Sequence, residues 1–363
     1  MNPEIFVQGS LSSSMDEKGY VSFHRFFPEQ LEAVQSNAMW NAMTDSAAGV
    51  VLRFRTNGSR ISLRCRPHNV FKLFLPVAKQ VKPADKKQAK ENMMRMFGGG
   101  GTNHHARVDG IDFLLDGRLV KSERPRRTTL HFSFSNPQHR LREVEIVLPL
   151  ILGCGFSHLR SNGSLEPAAK RPQILCLGDS ITQGFVAGWP SKCYVARLGD
   201  ALDADVLNQG IGGHIFQPES LNGMEKLPFC PACITVAYGT NDWHDCQSIQ
   251  ELQANISAYF ARLHALFPGV PVYIISPLWR ADCDDKRPHG APLTHVRQLL
   301  LSEQEKYDHM TVIDGYTLID HDTLLFEDGF LHPNRQGFAQ MTDRLLQAIR
   351  TATLQASNRK QNQ

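Results

Sequence analysis

The sequence ILCLGDSITQG, residues 174–184, decides the fold of the C-terminal half of the chain. Residues 174–178 form a near-continuous apolar run, which is typical of a strand buried on both faces of a parallel sheet. The following GDSITQG, residues 178–184, predicts a turn from this strand into a helix. We therefore expect a parallel sheet with helices on its faces.

The rest of the C-terminal half continues this alternation of strands and helices. Further strands are predicted at residues 205–210, 233–239, 272–277 and 310–314. Helices are predicted at residues 191–203, 248–267, 293–307 and 334–354. The pattern predicts a three-layer α/β domain over residues 172–355.

The N-terminal half has the pattern of an all-β domain. Short β-rich runs, several of which alternate by twos, predict strands at residues 50–55, 61–66, 71–77, 112–117, 128–134 and 144–150. Since no helices are predicted between them, we expect an antiparallel, jelly-roll-like β-sandwich over residues 1–165. The polar stretch SNGSLEPAAKRP, residues 161–172, is interpreted as the linker between the two domains.

One segment of the N-terminal half breaks the β pattern. Residues 79–96 are lysine-rich, and four glycines follow at residues 98–101. We interpret residues 79–101 as a solvated insertion, with a lid or a partner-docking loop as the alternative. His104 and His105 follow it, but no third ligand is evident nearby, so no metal site is predicted.

Length, composition and charge exclude several classes of protein. The 363 residues, 42 % hydrophobic and 21 % charged, predict about two globular domains that need neither disulfides nor a metal to fold. A net charge of +3 is too weak to favour a nucleic-acid or membrane partner. There is no signal-like start, no membrane-length apolar stretch and no disulfide-like grouping of the eight cysteines, so we expect a cytoplasmic protein.

Four polar motifs follow predicted strands, where ligands of α/β sheets collect. In GDSITQG, Ser180 would face the crevice beside a helix N-terminus; the alternative is that Ser180 only caps the helix. In NQGIGG, residues 208–213, the glycines would expose backbone N–H groups, although a tight turn asks for the same residues.

The other two motifs contribute an amide and an imidazole. In GTND, residues 239–242, the amide of Asn241 is a good donor to an oxyanion, or else forms a local turn or cap. In DGFLHPNRQG, residues 328–337, His332 precedes a proline that restrains the backbone. It could take a proton from a serine, or be a surface histidine.

In this order, the four motifs resemble the conserved blocks of the SGNH, or GDSL-like, hydrolases, over about residues 172–350. The resemblance implies a flavodoxin-like C-terminal domain and a serine esterase without a cofactor. It implies that Ser180 is the nucleophile and His332 its general base. It further implies an oxyanion hole formed by the N–H groups of Ser180 and Gly213 and the amide of Asn241.

The third catalytic residue departs from the family pattern. The family aspartate usually precedes its histidine by three residues, whereas Asp328 precedes His332 by four. An inserted residue could loop out, and we expect Asp328 to orient His332. The alternative is a Ser–His dyad in which a backbone carbonyl orients the imidazole.

The N-terminal sandwich narrows the expected substrate. A sandwich joined to an SGNH domain resembles the two-domain carbohydrate esterases, which implies a small-molecule or carbohydrate ester and removal of a short, acetyl-like acyl group. Three tryptophans follow predicted strands and could stack on a sugar, or only pack in the core: Trp189, Trp243 and Trp279.

Several other functions stay open as alternatives. A lipid esterase or thioesterase would keep the same chemistry, and a binding protein on the same scaffold would lack it. A nucleotide-binding protein is disfavoured, because no glycine-rich phosphate motif follows a strand. Cys230 and Cys233 match C-x-x-C, but the motif leads into a strand and indicates structural cysteines.

Overall fold

The computed structural model describes residues 1–68, 109–285, 287 and 289–361. The predicted strand at residues 71–77, the segment 79–101 and the pair His104–His105 lie outside the described residues. For residues 356–361 the description covers the backbone only.

The N-terminal half is a β-sandwich of two antiparallel sheets. Its described strands are β1 (Val7–Gln8), β2 (Ser12–Met15), β3 (Val21–His24), β4 (Val51–Thr56), β5 (Arg60–Pro67), β6 (Ile111–Leu115), β7 (Arg118–Glu123), β8 (Thr128–Ser133), β9 (Arg142–Val147), β10 (Cys154–Ser161) and β11 (Glu166–Pro167). One sheet has the order β1-β4-β9-β6-β7, with β11 on β4, and the other has the order β2-β3-β10-β5-β8. The predicted β-sandwich is confirmed.

Alternation along the strands fills the space between the two sheets. In β5, Ile61, Leu63 and Cys65 are buried, while Ser62 and Arg64 between them stay partly or fully exposed. Facing strands add aromatic rings, of which Phe113 and Phe132 stack with centroids 5.2 Å apart. Because every second residue points inward, a short strand can bury one face and leave the other in water.

The all-β prediction missed two short helices, and the linker interpretation was partly wrong. Helices α1 (Pro28–Val34) and α2 (Ala38–Thr44) lie between β3 and β4. Asn37 caps α2 by accepting hydrogen bonds from the N–H groups of Met39 and Trp40. Glu166–Pro167 pairs with β4, so part of the proposed linker extends a sandwich sheet.

The C-terminal half has one parallel sheet of five described strands: β12 (Gln173–Gly178), β13 (Asp205–Gly210), β14 (Cys233–Ala237), β15 (Val272–Ile275) and β16 (Met310–Ile313). Its order is β13-β12-β14-β15-β16, which is the flavodoxin-like order. The described α-helices are α3 (Ser180–Gln183), α4 (Tyr194–Ala201), α5 (Thr240–Asp245), α6 (Ile249–Leu266), α7 (Thr294–Gln304) and α8 (Arg335–Gln361). The predicted flavodoxin-like α/β fold is confirmed.

Strand order determines where a site can form. From β12 the chain passes first to β13 on one side and then to β14 on the other, so the order reverses at β12. Loops that leave neighbouring strands in opposite directions open a crevice at the carboxyl end of the sheet. The motifs beginning at Gly178, Asn208 and Gly239 all lie there.

Two further points concern the chain as a whole. Within the described ranges, every helix is too short or too polar to span a bilayer. The division into domains at residues 1–165 and 172–355 stays a prediction.

Candidate active site

The turn after β12 presents Ser180 at the start of a helix. Asp179, not Ser180, is the N-cap of α3, and its side chain accepts a hydrogen bond of 2.9 Å from the Ile181 N–H. The alternative in which Ser180 only caps the helix is therefore wrong. Ser180 is the first residue of α3 and is 4 % exposed. Its hydroxyl is left available to a neighbouring side chain.

That neighbour is His332, which the chain brings back from 152 residues away. Its Nε2 lies 2.9 Å from the Ser180 Oγ, and its Nδ1 lies 2.6 Å from the Asp328 Oδ2. The ring of Phe185 stacks on the imidazole at 5.8 Å. His332 is 5 % exposed, so the alternative of a surface histidine is wrong.

A tight loop accommodates the extra residue between Asp328 and His332. Gly329 has a φ of +78°, a left-handed conformation that favours glycine. The Asp328 Oδ1 then accepts hydrogen bonds from the N–H groups of Phe330, Leu331 and His332, at 3.1, 2.9 and 3.0 Å. The four-residue spacing thus leaves the Asp328 side chain paired with the imidazole.

The charge state of Asp328 follows from these contacts. Burial alone would raise the pKa of its carboxyl group. The hydrogen bond and charge of His332, together with backbone N–H groups, outweigh burial and hold this pKa below its usual value. An ionised Asp328 favours the His332 tautomer that carries its proton on Nδ1, leaving Nε2 free to accept one from Ser180.

Two backbone N–H groups are available beside Ser180. Among the described residues, no hydrogen-bond acceptor is found for the N–H of Ser180 or of Gly213. Gly213 has a φ of +78° in the turn after β13. The neighbouring Gly212 N–H is already used, since it donates to the Gln183 Oε1 at 2.8 Å. Both groups are therefore free to donate to a ligand, as the predicted oxyanion hole requires.

The amide of Asn241 lies at the same crevice. Its Nδ2 donates to the His214 carbonyl at 2.9 Å and lies 3.4 Å from the Asp179 Oδ2. Burial raises the pKa of Asp179 to about 6, against the opposing effects of the Ile181 N–H and of the charges of His332 and Arg280. The longer of the two Asn241 contacts is the weaker, so a ligand oxygen could replace it.

One residue whose role the sequence analysis missed, Asp242, holds these loops in place. Asp242, fully buried, accepts hydrogen bonds from the N–H groups of Phe216 at 2.9 Å and Gly239 at 3.0 Å. It thereby ties the loop after β13 to the loop after β14. Asp242 is part of the GTND motif, so the motif pointed to this position, but the sequence analysis gave a role only to Asn241.

A comparison with family models agrees with this arrangement. Residues 176–340 match the model of the GDSL-like lipase/acylhydrolase family. This part of the chain is a GDSL-like lipase/acylhydrolase domain. The match to the family model confirms the predicted family and the prediction of an ester-hydrolysing enzyme.

Solved structures with the same two-part layout resemble the whole chain. A salicylyl-acyltransferase from a tetracycline biosynthetic pathway has a TM-score of 0.73 and 18 % identity, covering 94 % of each chain. A family two carbohydrate esterase from Cellvibrio japonicus has a TM-score of 0.57 and 14 % identity, covering 97 % of this chain and 96 % of its own. An acetyl xylan esterase from Butyrivibrio proteoclasticus has a TM-score of 0.57 and 12 % identity, covering 96 % of each. At these identities the likeness establishes the fold, and a search of curated protein sequences gives no match.

One of the three tryptophans proposed to bind substrate is placed wrongly for that role. Trp243 of the GDSL-like domain is fully buried, and its indole N–H donates to the Ala291 carbonyl at 2.9 Å. Trp279 is half-buried and stacks on His321 at 5.2 Å. Trp189 is also half-buried, with the Arg335 guanidinium 5.8 Å from its ring. For Trp189 and Trp279, sugar stacking stays a prediction.

A fourth tryptophan, Trp40, missed by the sequence analysis, lies beside Gly213. A Cβ placed on Gly213 would be 2.7 Å from the Met39 Cε and 3.4 Å from the Trp40 Nε1. The Trp40 ring also contacts the His214 ring edge-on at 4.7 Å. Helix α2 of the sandwich half therefore forms part of the wall around the GDSL-like domain's Gly213.

Among the residues that the structure describes, the site has no recognisable set of metal ligands. Over the described stretches of the chain, no three His, Cys, Asp or Glu side chains are grouped so that they could hold a metal ion. The arrangement around Ser180 is suited to proton transfer and to stabilising an oxyanion, and both use side chains and backbone alone.

Proposed function

We propose that this enzyme hydrolyses short-chain acyl esters, foremost acetyl esters of carbohydrates, with Ser180 as nucleophile. The observation that carries the proposal is the hydrogen-bonded series from Ser180 Oγ through His332 to Asp328. A serine hydroxyl at neutral pH is a poor nucleophile and needs such a base beside it.

The reaction follows from the roles of these groups. His332 Nε2 takes the Ser180 proton as Oγ attacks the ester carbonyl, and the imidazolium is stabilised by Asp328. Negative charge on the carbonyl oxygen is received by the N–H groups of Ser180 and Gly213 and by the Asn241 amide. His332 then gives its proton to the leaving alcohol, and water releases the acyl group by the same steps in reverse order.

The preference for short acyl groups is supported by the crowding at Gly213. Met39 and Trp40 approach this glycine from the sandwich half, which restricts the space beside the proposed oxyanion hole. The carbohydrate part is supported by the structural neighbours, which include a family two carbohydrate esterase in complex with cellohexaose. A half-buried aromatic such as Trp40 offers a face or an N–H to an uncharged alcohol.

The proposal is tested by two substrate series on the full chain. In the first, 4-nitrophenyl acetate, butyrate, hexanoate and decanoate are compared, and we expect kcat/KM to fall at least about tenfold from acetate to hexanoate. In the second, acetylated xylan and acetylated glucosides are compared with a glycerol ester and an acetyl thioester. Preference for the sugar acetates supports the proposal.

Other outcomes separate the alternatives. A preference for decanoate or for the thioester would overturn the proposed substrate class in favour of a lipid esterase or thioesterase. The variant Ser180→Ala is the control throughout. If it hydrolysed esters as fast as the unaltered chain, the proposed nucleophile would be wrong.

A further inference from the structure

Arg25 is a fully buried arginine with neutral partners. Its side chain donates from all three nitrogens, to the carbonyl oxygens of Ser46, Met43, Asn208 and Gly210 and to the Ser46 Oγ. Over the part of the chain that the structure describes, no carboxylate forms an ion pair with it. Burial lowers the pKa of the guanidinium to about 9.

Burying a charged side chain without an opposite charge costs free energy. The five N–H donors of Arg25 instead hold neutral acceptors in fixed positions, which indicates a structural purpose. Two of the acceptors, Asn208 and Gly210, belong to the carboxyl end of β13. The Gly210 bond is 3.2 Å long. Arg25 itself follows β3 of the sandwich half directly, so this one side chain joins the two halves at the start of the NQGIGG turn.

A second path runs from Arg25 to the same turn. The Ser46 Oγ accepts a hydrogen bond from Arg25 Nη2 at 2.8 Å and another from Gln183 Nε2 at 3.1 Å. Gln183 in turn accepts a hydrogen bond from the Gly212 N–H through its Oε1, at 2.8 Å. Ser46 therefore fixes the orientation of the amide that holds Gly212, the residue before Gly213.

We propose that Arg25 is a positioning residue for the oxyanion loop, residues 208–214, acting through strand β13 and through Ser46 and Gln183. Because a free N–H must point at a reacting oxygen within a few tenths of an ångström, the loop that carries it has to be held rigidly. This inference rests on the proposed function, since it assigns a purpose to the Gly213 N–H.

The chain offers a matched control at the opposite end of the same strand. Arg53, also fully buried, is paired with Asp205 at the start of β13, by one short contact and one of 3.1 Å. It joins the same two halves but contacts neither Gly210 nor the loop beyond it. A role in attaching the halves predicts equal effects at both arginines, whereas a positioning role predicts different ones.

The experiment compares Arg25→Met, Arg25→Lys, Ser46→Ala and Arg53→Met in the full chain, with 4-nitrophenyl acetate. For Arg25→Met we expect kcat, corrected for the folded fraction, to fall about 10²-fold while KM changes less than about threefold. Ser46→Ala should fold even where Arg25→Met does not, and should lower kcat about tenfold. Arg25→Lys should keep part of the activity, and Arg53→Met should lower stability with kcat changed less than about threefold.

A second readout reports the oxyanion hole itself. An alkyl boronic acid forms a tetrahedral anion on the serine, so its Kd should rise by the factor by which kcat/KM falls in the Arg25 and Ser46 variants. Equal kcat in all variants, or a boronate Kd that does not move in Arg25→Met and Ser46→Ala, would overturn the positioning role. Failure of the proposed function is a separate result: Ser180→Ala would stay active, or the unaltered chain would not bind the boronate.

Discussion

The two ends of strand β13 meet the sandwich half in different ways. At the amino end the contacts are mainly ionic: Arg53 pairs with Asp205 and also donates to the Ala169 carbonyl at 2.8 Å, while Arg171 pairs with Glu143, Glu145 and Asp203. At the carboxyl end the partners are neutral: Arg25 donates to carbonyl groups, and Gln30 bonds to Gln209 at 3.0 Å.

This difference indicates that one end of β13 attaches the two halves to each other and the other end orients the groups of the site. An ion pair keeps much of its attraction when its partners shift slightly, because Coulomb energy changes slowly with distance. Hydrogen bonds to carbonyl groups weaken steeply with angle and therefore fix direction. We interpret the amino end as the part that holds the halves together and the carboxyl end as the part that shapes the site. Changes at the carboxyl end should then alter kcat/KM, and changes at the amino end should alter stability.

The largest expected effect is that of Asp328→Asn, in the site beyond the carboxyl end of the parallel sheet that contains β13. Asparagine keeps an oxygen for the three backbone N–H groups but presents an NH₂ group to the imidazole, which favours the wrong tautomer of His332. We expect kcat to fall about 10⁴-fold with little change in the urea midpoint. A rate near that of the unaltered chain would favour the Ser–His dyad.

A smaller loss is expected for Asn241→Ala. Removing one oxyanion donor should lower kcat about 10²–10³-fold, measured with 4-nitrophenyl acetate. The matched control is Asn136→Ala, which removes a buried amide of the sandwich that donates to the carbonyls of Asn57, Gly58 and Arg140. The control should lower stability only. A loss below threefold in Asn241→Ala would remove Asn241 from the proposed oxyanion hole.

Trp40→Ala should have a moderate effect on substrate binding. Since the indole lies beside Gly213 and is not part of the Ser180–His332–Asp328 series, we expect kcat/KM for sugar acetates to fall about tenfold, mainly through KM. Trp279→Ala, which removes a ring stacked on His321, serves for comparison. If hexanoate became a better substrate in Trp40→Ala, the indole would be assigned to the acyl side.

The smallest effect is expected at the amino end, on stability against pH. Burial, with the nearby Asp200 and Glu143, raises the pKa of Glu145 to about 7, against the opposing charges of Arg171 and Arg53. The folded state therefore binds a proton on the Glu145 carboxyl group more tightly than the unfolded state does. The stability that this bound proton contributes is lost as the pH rises through about 7. Between pH 5 and 8, Glu145→Gln should gain roughly 2 kcal/mol in free energy of unfolding relative to the unaltered chain. Urea unfolding at each pH measures this difference. A difference in free energy of unfolding that stays the same from pH 5 to 8 would contradict the prediction. The kcat of the variant should equal that of the unaltered chain.

The sequence predicted the α/β half well because its signals are local. Apolar runs such as residues 174–178 mark buried strands, and glycine-rich polar turns mark their carboxyl ends. The short helices α1 and α2 were missed because they are seven residues long and interrupt a β pattern. Their amphipathic character cannot be read from so few residues, and their burial depends on the other half.

The residues of the site likewise fall into two groups, those that belong to local motifs and those that long-range contacts bring to the site. Ser180, His332, Asp328 and Asn241 belong to motifs with a recognisable order, so the sequence brings them to one crevice. Asn208, which binds Arg25, and His214, which contacts Trp40, each lie more than 170 residues from their partner, and no spacing rule connects them. Trp243 was assigned wrongly since a tryptophan after a strand can point into the core or out of it, and packing decides which.

The most direct test of the account is to trap the nucleophile. The full chain is treated with a fluorophosphonate, the esterase activity is followed, and the labelled peptide is found by mass spectrometry. We predict a single label on Ser180, loss of activity in step with labelling, and no label in Ser180→Ala. An unlabelled Ser180 in a fully inactivated enzyme would contradict the account.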